Sequence, residues 1–422
     1  MGNKDSREYF SAVIGAHRFL ESLIIICSIL GSSGAGLFGG LARMSNTAPA
    51  SLDTVLNADA VEFCPVEGQR DRLVCGTYQL EESEEGGRAE QQTRHGRLLV
   101  VRSRQAADGS VQLEEESRLD VPGVFDIKWG GWAMGKNPML GHAAADGHLY
   151  TYTLGDQGDL TQVHKVDCRQ EDAAPGTLAL SLDWSDRRRQ FWSGGVGGGG
   201  GSSSSQVAVS MSDGTVCIVE SGEAGDLIVK NQWNAHDLEA WIATWDSHSP
   251  EGSVLYSGAD DGILKVWDLR AGTDAPMARC SRFDAGVTCM QSHAQREHCL
   301  AVGSYDESVS IFDTRSFKAP AARCNVGGGV WRLKWNSKQP QLLLAACMHA
   351  GFTVLKYDHS RACFDEDSAF PFTGGHKSLG YGADWREEEP GEEEVSRIVG
   401  TASFYDHLLE ACRVPSSLFE EE

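Results

Sequence analysis

Along most of the chain the apolar residues come in short runs rich in Val, Ile, Leu and Trp, each closed by Gly, Asp or Ser. That punctuation predicts many short strands joined by tight polar turns, and no long amphipathic helix emerges from it. The runs group into a recurring unit: a strand ending at Trp, a variable loop, a second strand, a polar turn and a third strand. DIKW, SLDW, IATW, RLKW and GADW close at Trp129, Trp184, Trp245, Trp335 and Trp385, while VEF at 61–63 and VTCMQS, ending at Ser292, complete the series. The second halves keep step, as in AAADGHLYTYTL from Ala143, YSGADDGILKVWD from Tyr256 and ACMHAGFTVLKY from Ala346. A unit that returns roughly every fifty residues fits a four-stranded propeller blade with loop insertions, and seven of them predict an all-β, seven-bladed β-propeller.

The pattern places the propeller at 44–415. Residues 1–43 stand outside it: no charged side chain occurs from Ser22 to Ala42, LIIICSIL at 23–30 resembles the core of a signal peptide or short anchor, and MGNKDS fits a myristoylation pattern. A dispensable extension, with translation starting at Met44, is the competing reading. The run GGVGGGGGSSSS at 194–205 is too simple to pack and is expected to loop out of blade three as a flexible insertion. Residues 416–422 form an acidic tail.

Charge narrows the function. With 60 acidic against 37 basic residues and a formal charge of -23, the chain lacks the basic stripe that a nucleic-acid groove needs, and it favours cationic partners. The 12 cysteines show neither a CxxC pair nor zinc-type Cys/His spacing, and Cys217, Cys289 and Cys347 fall within strand patterns. Buried free thiols in a reducing, cytoplasmic compartment are expected, with no metal, no organic cofactor and no membrane contact by the propeller, which is expected to be a monomer.

The run GADDGILKVWD resembles a WD repeat (WD40-type), with His236, Ser257, Asp261 and Trp267 matching that family's hydrogen-bonded structural set. Blade four alone carries the whole set; blade five keeps Ser304 and Asp306, with Phe312 in place of Trp. GxSxG, HExxH and GxxxxGK[ST] are absent, so motifs by themselves lead only to a docking platform, a non-enzymatic WD-repeat adaptor. A closer likeness runs through blades four to seven. HDLEAWIATW (236–245), GSYDESVSIFDTR (303–315), GGVWRLKWN (328–336), LLLAACMHAGFTVLK (342–356), SLGYGADW (378–385) and ASFYDH (402–407) together resemble the diphthine methylesterase family of WD-repeat proteins. CGTYQL and DAVEFCP extend the match to blade one, blades two and three match loosely, and residues 1–43 do not match. The resemblance implies hydrolysis of the methyl ester of over-methylated diphthine on elongation factor 2, a late step of diphthamide biosynthesis, with that factor as the protein substrate.

Such a reaction needs a base or nucleophile, an oxyanion donor and a seat for a trimethylammonium group. Aligning the polar turns sets Asp146, Asp213, Asp261, Asp306, His349 and Asp406 at one corner of successive blades, so His349 stands where the fold prefers Asp. His349 is the candidate general base, with Asp406 and His407 to orient it or share its proton; the structural alternative is that these residues merely cap their turns. Cys347 is either a nucleophile or a core thiol. Four residues before each strand-ending position stand Asp59, Phe125, Leu180, Trp241, Thr288, Trp331 and Tyr381. Trp241, Trp331 and Tyr381, with Glu239, are predicted to hold the quaternary ammonium. Ile127, Ala243 and Leu333, two residues further on, argue instead for packing between blades.

Overall fold

The computed structural model describes residues 49–81, 93–106, 108–134, 137–186, 205–222, 226–249, 252–389 and 397–419. The extension at 1–43 and the 194–205 insertion up to Ser204 lie outside the described residues, as do Glu420 to Glu422. Seven antiparallel sheets of four strands each follow one another, and within the first six the strands pair in chain order from the innermost outward. The innermost strands are Ala58–Phe63, Val124–Met134, Ala179–Trp184, Ile242–Trp245, Val287–Ser292, Arg332–Trp335 and Gly380–Trp385, and they define blades one to seven. The ring is a seven-bladed β-propeller. It closes where Ala50–Asp53, ahead of blade one, pairs with Leu408–Arg413 as the outer strand of blade seven, in a register running from Ala50 opposite Ala411 to Asp53 opposite Leu408. This strand alternates half-buried and exposed over only four residues, too brief a pattern to announce itself in the sequence.

The strand-ending tryptophans explain why the blades stay together. Trp129 donates its indole N–H to the Glu62 carbonyl (3.3 Å), Trp184 to that of Lys128 (3.0 Å), Trp245 to that of Asp183 (3.0 Å) and Trp385 to that of Lys334 (2.8 Å). Each bond runs from one blade to the one before it, while the ring fills the space between the two sheets. Burying a side chain of this kind contributes about 1.5–3 kcal/mol, and the indole N–H finds a partner rather than being stranded. Ile127, Ala243 and Leu333 are buried, as the packing alternative requires. The cysteines among the described residues are free thiols, buried apart from half-buried Cys363. Beyond the last strand, a 3-10 turn over Ser416–Phe419 tucks Leu418 into the core between blades six and seven. No helix among the described residues is long and apolar enough to cross a membrane.

Candidate active site

The innermost strands begin at one mouth of the central channel and end, at their tryptophans, at the other. In five blades that beginning is a β-bulge, and the extra residue is Asp59, Phe125, Leu180, Thr288 or Tyr381. In blades four and six, Trp241 and Trp331 sit just ahead of the first paired residue, Ile242 or Arg332. The position four residues before the strand end is therefore the point where the ladder slips, and a bulge re-aims the side chain it releases. Thr288 turns back on the backbone, bonding the carbonyls of Gly303 and Val330. The aromatic members gather at the mouth instead.

Trp331 is the centre of this cluster. It stacks on Tyr381 at 4.8 Å and meets Trp241 edge-on at 5.6 Å, with Tyr305 from the blade-five turn 6.0 Å away. Contacts continue from Tyr381 to Phe404 (5.3 Å), from Phe404 to Tyr78 (4.8 Å) and from Tyr78 to Phe125 (4.9 Å). Phe125 packs with Leu180 and Trp241, which closes the circle. Trp241 is pinned by an indole bond to Asp260 Oδ1 (3.2 Å), and the Asp260 N–H is bonded to the Glu239 carbonyl (2.9 Å). Burial first, then the Asp260 charge, raises the Glu239 carboxyl above its ordinary range.

Next to these rings lies Asp59, 0% exposed. Neither of its carboxylate oxygens accepts a hydrogen bond of ordinary geometry from a described residue; the neighbouring Trp331 indole N–H, also buried, interacts with it without reaching that geometry. The nearest cation is Arg332, with Nη2 3.8 Å from Oδ2. Burial pushes the Asp59 carboxyl up to about 7, with Asp126 adding to the rise and Arg332 only partly offsetting it. The Asp59 charge reaches Tyr305 and Tyr381, whose phenols are raised mainly by their own burial. Arg332 is locked across the channel by a 2.8 Å bond to the Phe125 carbonyl and by Asp126 at 3.3 Å. Deeper in the channel, Lys128 lies 2.6 Å from Asp126 and Lys334 pairs with Glu62, so the charges there are compensated. Asp59 is compensated more weakly, chiefly by Arg332 at 3.8 Å.

The turn residues behave differently. His349 holds the third place of a five-residue turn, as Asp261 and Asp306 do, because Ala346 pairs with Phe352 just as Gly258 pairs with Leu264 and Gly303 with Val309. It is exposed and bonds to no described side chain, on a turn stitched to blade seven by the Met348 and Gly380 backbones. Asp406 bonds Ser403 Oγ and accepts the Lys377 N–H at 2.7 Å, while His407 meets Asn57 Oδ1 at 3.0 Å. Asp406 therefore holds its own blade and His407 ties that blade to the chain entering blade one, and neither bonds to His349. Cys347 is fully buried and its thiol is pushed up to about 12, which keeps it protonated at neutral pH.

Blade four builds its set in full: His236 lies 2.9 Å from Asp261 and 2.8 Å from Ser257, whose hydroxyl also receives the Trp267 indole N–H (2.9 Å). Blade seven holds a related set that the sequence reading passed over, with His376 bonded to Ser403 (2.6 Å) and Thr401 (2.9 Å) and Ser403 to Asp406. Cys412 stands there in place of Trp, and the long loop before Ile398 stretches the spacing, which is why the set was missed.

Residues 229–268 match the family described as WD domain, G-beta repeat. The chain is 36% identical over 348 residues to human diphthine methyltransferase, covering 79% of this chain and 74% of that one. It belongs to the diphthine methyltransferase family. The Schizosaccharomyces pombe diphthine methyltransferase is 28% identical over 361 residues, spanning 85% of this chain and 95% of its own. Among solved structures, a chain of a crystal structure of the mitotic checkpoint complex superposes with a TM-score of 0.59 at 16% identity, over 91% of this chain and 97% of that chain, a likeness of fold alone. Within this family, then, the chain carries a propeller whose channel mouth unites three of the four predicted binding residues, Trp241, Trp331 and Tyr381, in one aromatic cluster, with Glu239 attached through Asp260.

Proposed function

We propose that this protein acts in diphthamide biosynthesis as an ester hydrolase, releasing methanol from methylated diphthine on elongation factor 2. Family membership supports action on diphthine, and the channel mouth supports the class of substrate. The observation that carries the reading is an aromatic cluster set against a buried carboxylate that accepts no hydrogen bond of ordinary geometry. A quaternary ammonium has no N–H to donate, so ring faces and an unbonded anion suit it better than a hydrogen-bonding site would. Trp241, Trp331 and Tyr381 would receive the trimethylammonium group, and the acids Glu239 and Asp260 would draw it in. The excess of acidic residues favours approach by a basic protein segment carrying the modified histidine.

The family's printed name denotes methyl transfer, and the two reactions have different products. Purified protein is incubated with elongation factor 2 carrying the methylated intermediate, following methanol release and the mass of the modified peptide. Hydrolysis predicts catalytic methanol release with loss of one methylene mass from the peptide. Binding of the factor by folded protein without methanol would leave a docking platform, and a gain of methyl mass in the presence of a methyl donor would establish transfer.

A further inference from the structure

Three unpaired or underused polar groups converge where the ladder slips at the channel mouth. The Asp59 carboxylate and the Trp331 indole N–H are buried and face each other without a hydrogen bond of ordinary geometry to any described residue, and Arg332, bonded through Nη2 and Nη1 to the carbonyls of Phe125 and Trp331, brings its cationic guanidinium within 3.8 Å of Asp59. Native structures rarely strand two buried polar groups side by side, and such a pair calls for an explanation. Ordinary packing does not supply one, because the charges deeper in the same channel are all paired. Two adjacent chain positions, Trp331 and Arg332, supply donors, and the bulge in blade one supplies an acceptor from across the channel. We infer that Asp59 is the general base of the hydrolysis and that the Trp331 indole and Arg332 guanidinium are the donors that hold the oxyanion. This rests on the esterase reading above and names its working groups.

The reaction then balances within the site. Diphthine carries its ammonium and its carboxyl group on the same carbon, so a cation seated on the aromatic cluster brings the ester carbonyl beside Asp59. The carboxylate takes a proton from water as the water oxygen bonds to the ester carbon, and the negative charge that develops on the carbonyl oxygen falls to Trp331 Nε1–H and Arg332. When the C–OCH3 bond breaks, the departing oxygen takes the proton from the Asp59 carboxyl. Methanol and a carboxylic acid result, and the acid then ionises to solvent, leaving Asp59 as it began. Burial matters twice over. It brings the Asp59 proton affinity close to neutrality, where a base works best, and it excludes competing water.

The test compares the full chain with Asp59→Asn and His349→Asn on elongation factor 2 carrying the methyl ester, measuring kcat and KM from about pH 5 to about pH 9, with thermal melting as the fold control. The wild type is expected to gain about tenfold in kcat per pH unit until an inflection near 7, then level off. Asp59→Asn is expected to lower kcat by about 10²- to 10⁴-fold and lose the inflection, with a smaller rise in KM because the ionised carboxyl also attracts the cation. The inflection in the wild type should not move on warming, since carboxyl ionisation carries little enthalpy and imidazole ionisation carries much; this arm needs no variant at all. A folded Asp59→Asn that keeps its kcat or its inflection would overturn the assignment. So would a loss confined to KM, which would make Asp59 a counter-ion, or an inflection that disappears in His349→Asn. If the wild type itself releases no methanol, the esterase reading falls; if it turns over and Asp59→Asn does too, only the role of Asp59 falls.

Discussion

Two acids in this propeller have opposite surroundings. Asp261, in the blade-four turn, bonds His236 at 2.9 Å and the Ile263 N–H at 2.9 Å. Burial alone would raise its carboxyl, but the His236 hydrogen bond and charge outweigh that and hold it below the usual carboxylate range. Asp59, on the blade-one bulge, is buried more deeply, makes no hydrogen bond of ordinary geometry and is raised to about 7. The first carboxylate is stabilised by its neighbours and in turn steadies a turn. The second is destabilised by its burial, which Arg332 and Trp331 only partly offset, and a fold keeps such a group where function uses it. What separates them is the depth of burial together with how far the bonding capacity of the carboxylate has been met.

The contrast can be tested by removing each charge. The largest effect expected is the fall in kcat for Asp59→Asn, whereas Asp261→Asn should keep kcat per folded molecule. Stability should show the opposite preference. Between about pH 4 and pH 7 the folded chain holds a proton on Asp59 that the unfolded chain has released, so wild-type stability falls as pH rises through that window. The full penalty is on the order of 4 kcal/mol above it, so Asp59→Asn should be more stable than wild type at pH 8 and lose that advantage near pH 4, as read by denaturant melts. Asp261 has the reverse sign: its contribution is present above about pH 4 and is lost as pH falls through its depressed folded value. Asp261→Asn should therefore cost about 1–3 kcal/mol at neutral pH.

Smaller effects map the cluster around Asp59. Trp331→Leu removes a ring face worth about 0.5–2 kcal/mol, which should raise KM about 2- to 30-fold, and it also removes one oxyanion donor, which should lower kcat as well. Glu239→Gln is the mildest change, raising KM about threefold at low salt and scarcely at all at high salt, because a charge at the rim acts mainly by steering.

Much of this was legible in the sequence, for a definite physical reason. Strands that must pack against two neighbours need an apolar run, a terminal tryptophan and a tight turn at each return, and those three marks recur along the chain. The same spacing singled out Trp241, Trp331 and Tyr381, because the start of the innermost strand, as a bulge or as the residue just ahead of the ladder, lands on the same step of the repeat. Tyr305 and Phe404 join them from turns, Tyr305 one residue before the turn Asp in SYD and Phe404 two residues before it in FYD, a signal that could have been read. The isolation of Asp59 could not be read, since whether a carboxylate finds a partner depends on side chains from several blades. His349, conspicuous as a histidine among aspartates, is exposed on the rim, and the residues expected to orient it bond elsewhere. Chemical type at a repeat position is a property of sequence; satisfaction of its bonds is a property of the assembled ring.

The central claim is that Asp59 is a buried, weakly compensated carboxyl beside a seat for a quaternary cation. Infrared difference spectra of wild type minus Asp59→Asn, recorded across pH with and without tetramethylammonium, test it directly. The account predicts a protonated-carboxyl band that fades with a midpoint near 7 and a midpoint that moves down when the cation binds, because a bound positive charge favours the ionised form. A carboxyl already ionised at about pH 5, or a midpoint indifferent to the cation, would contradict it.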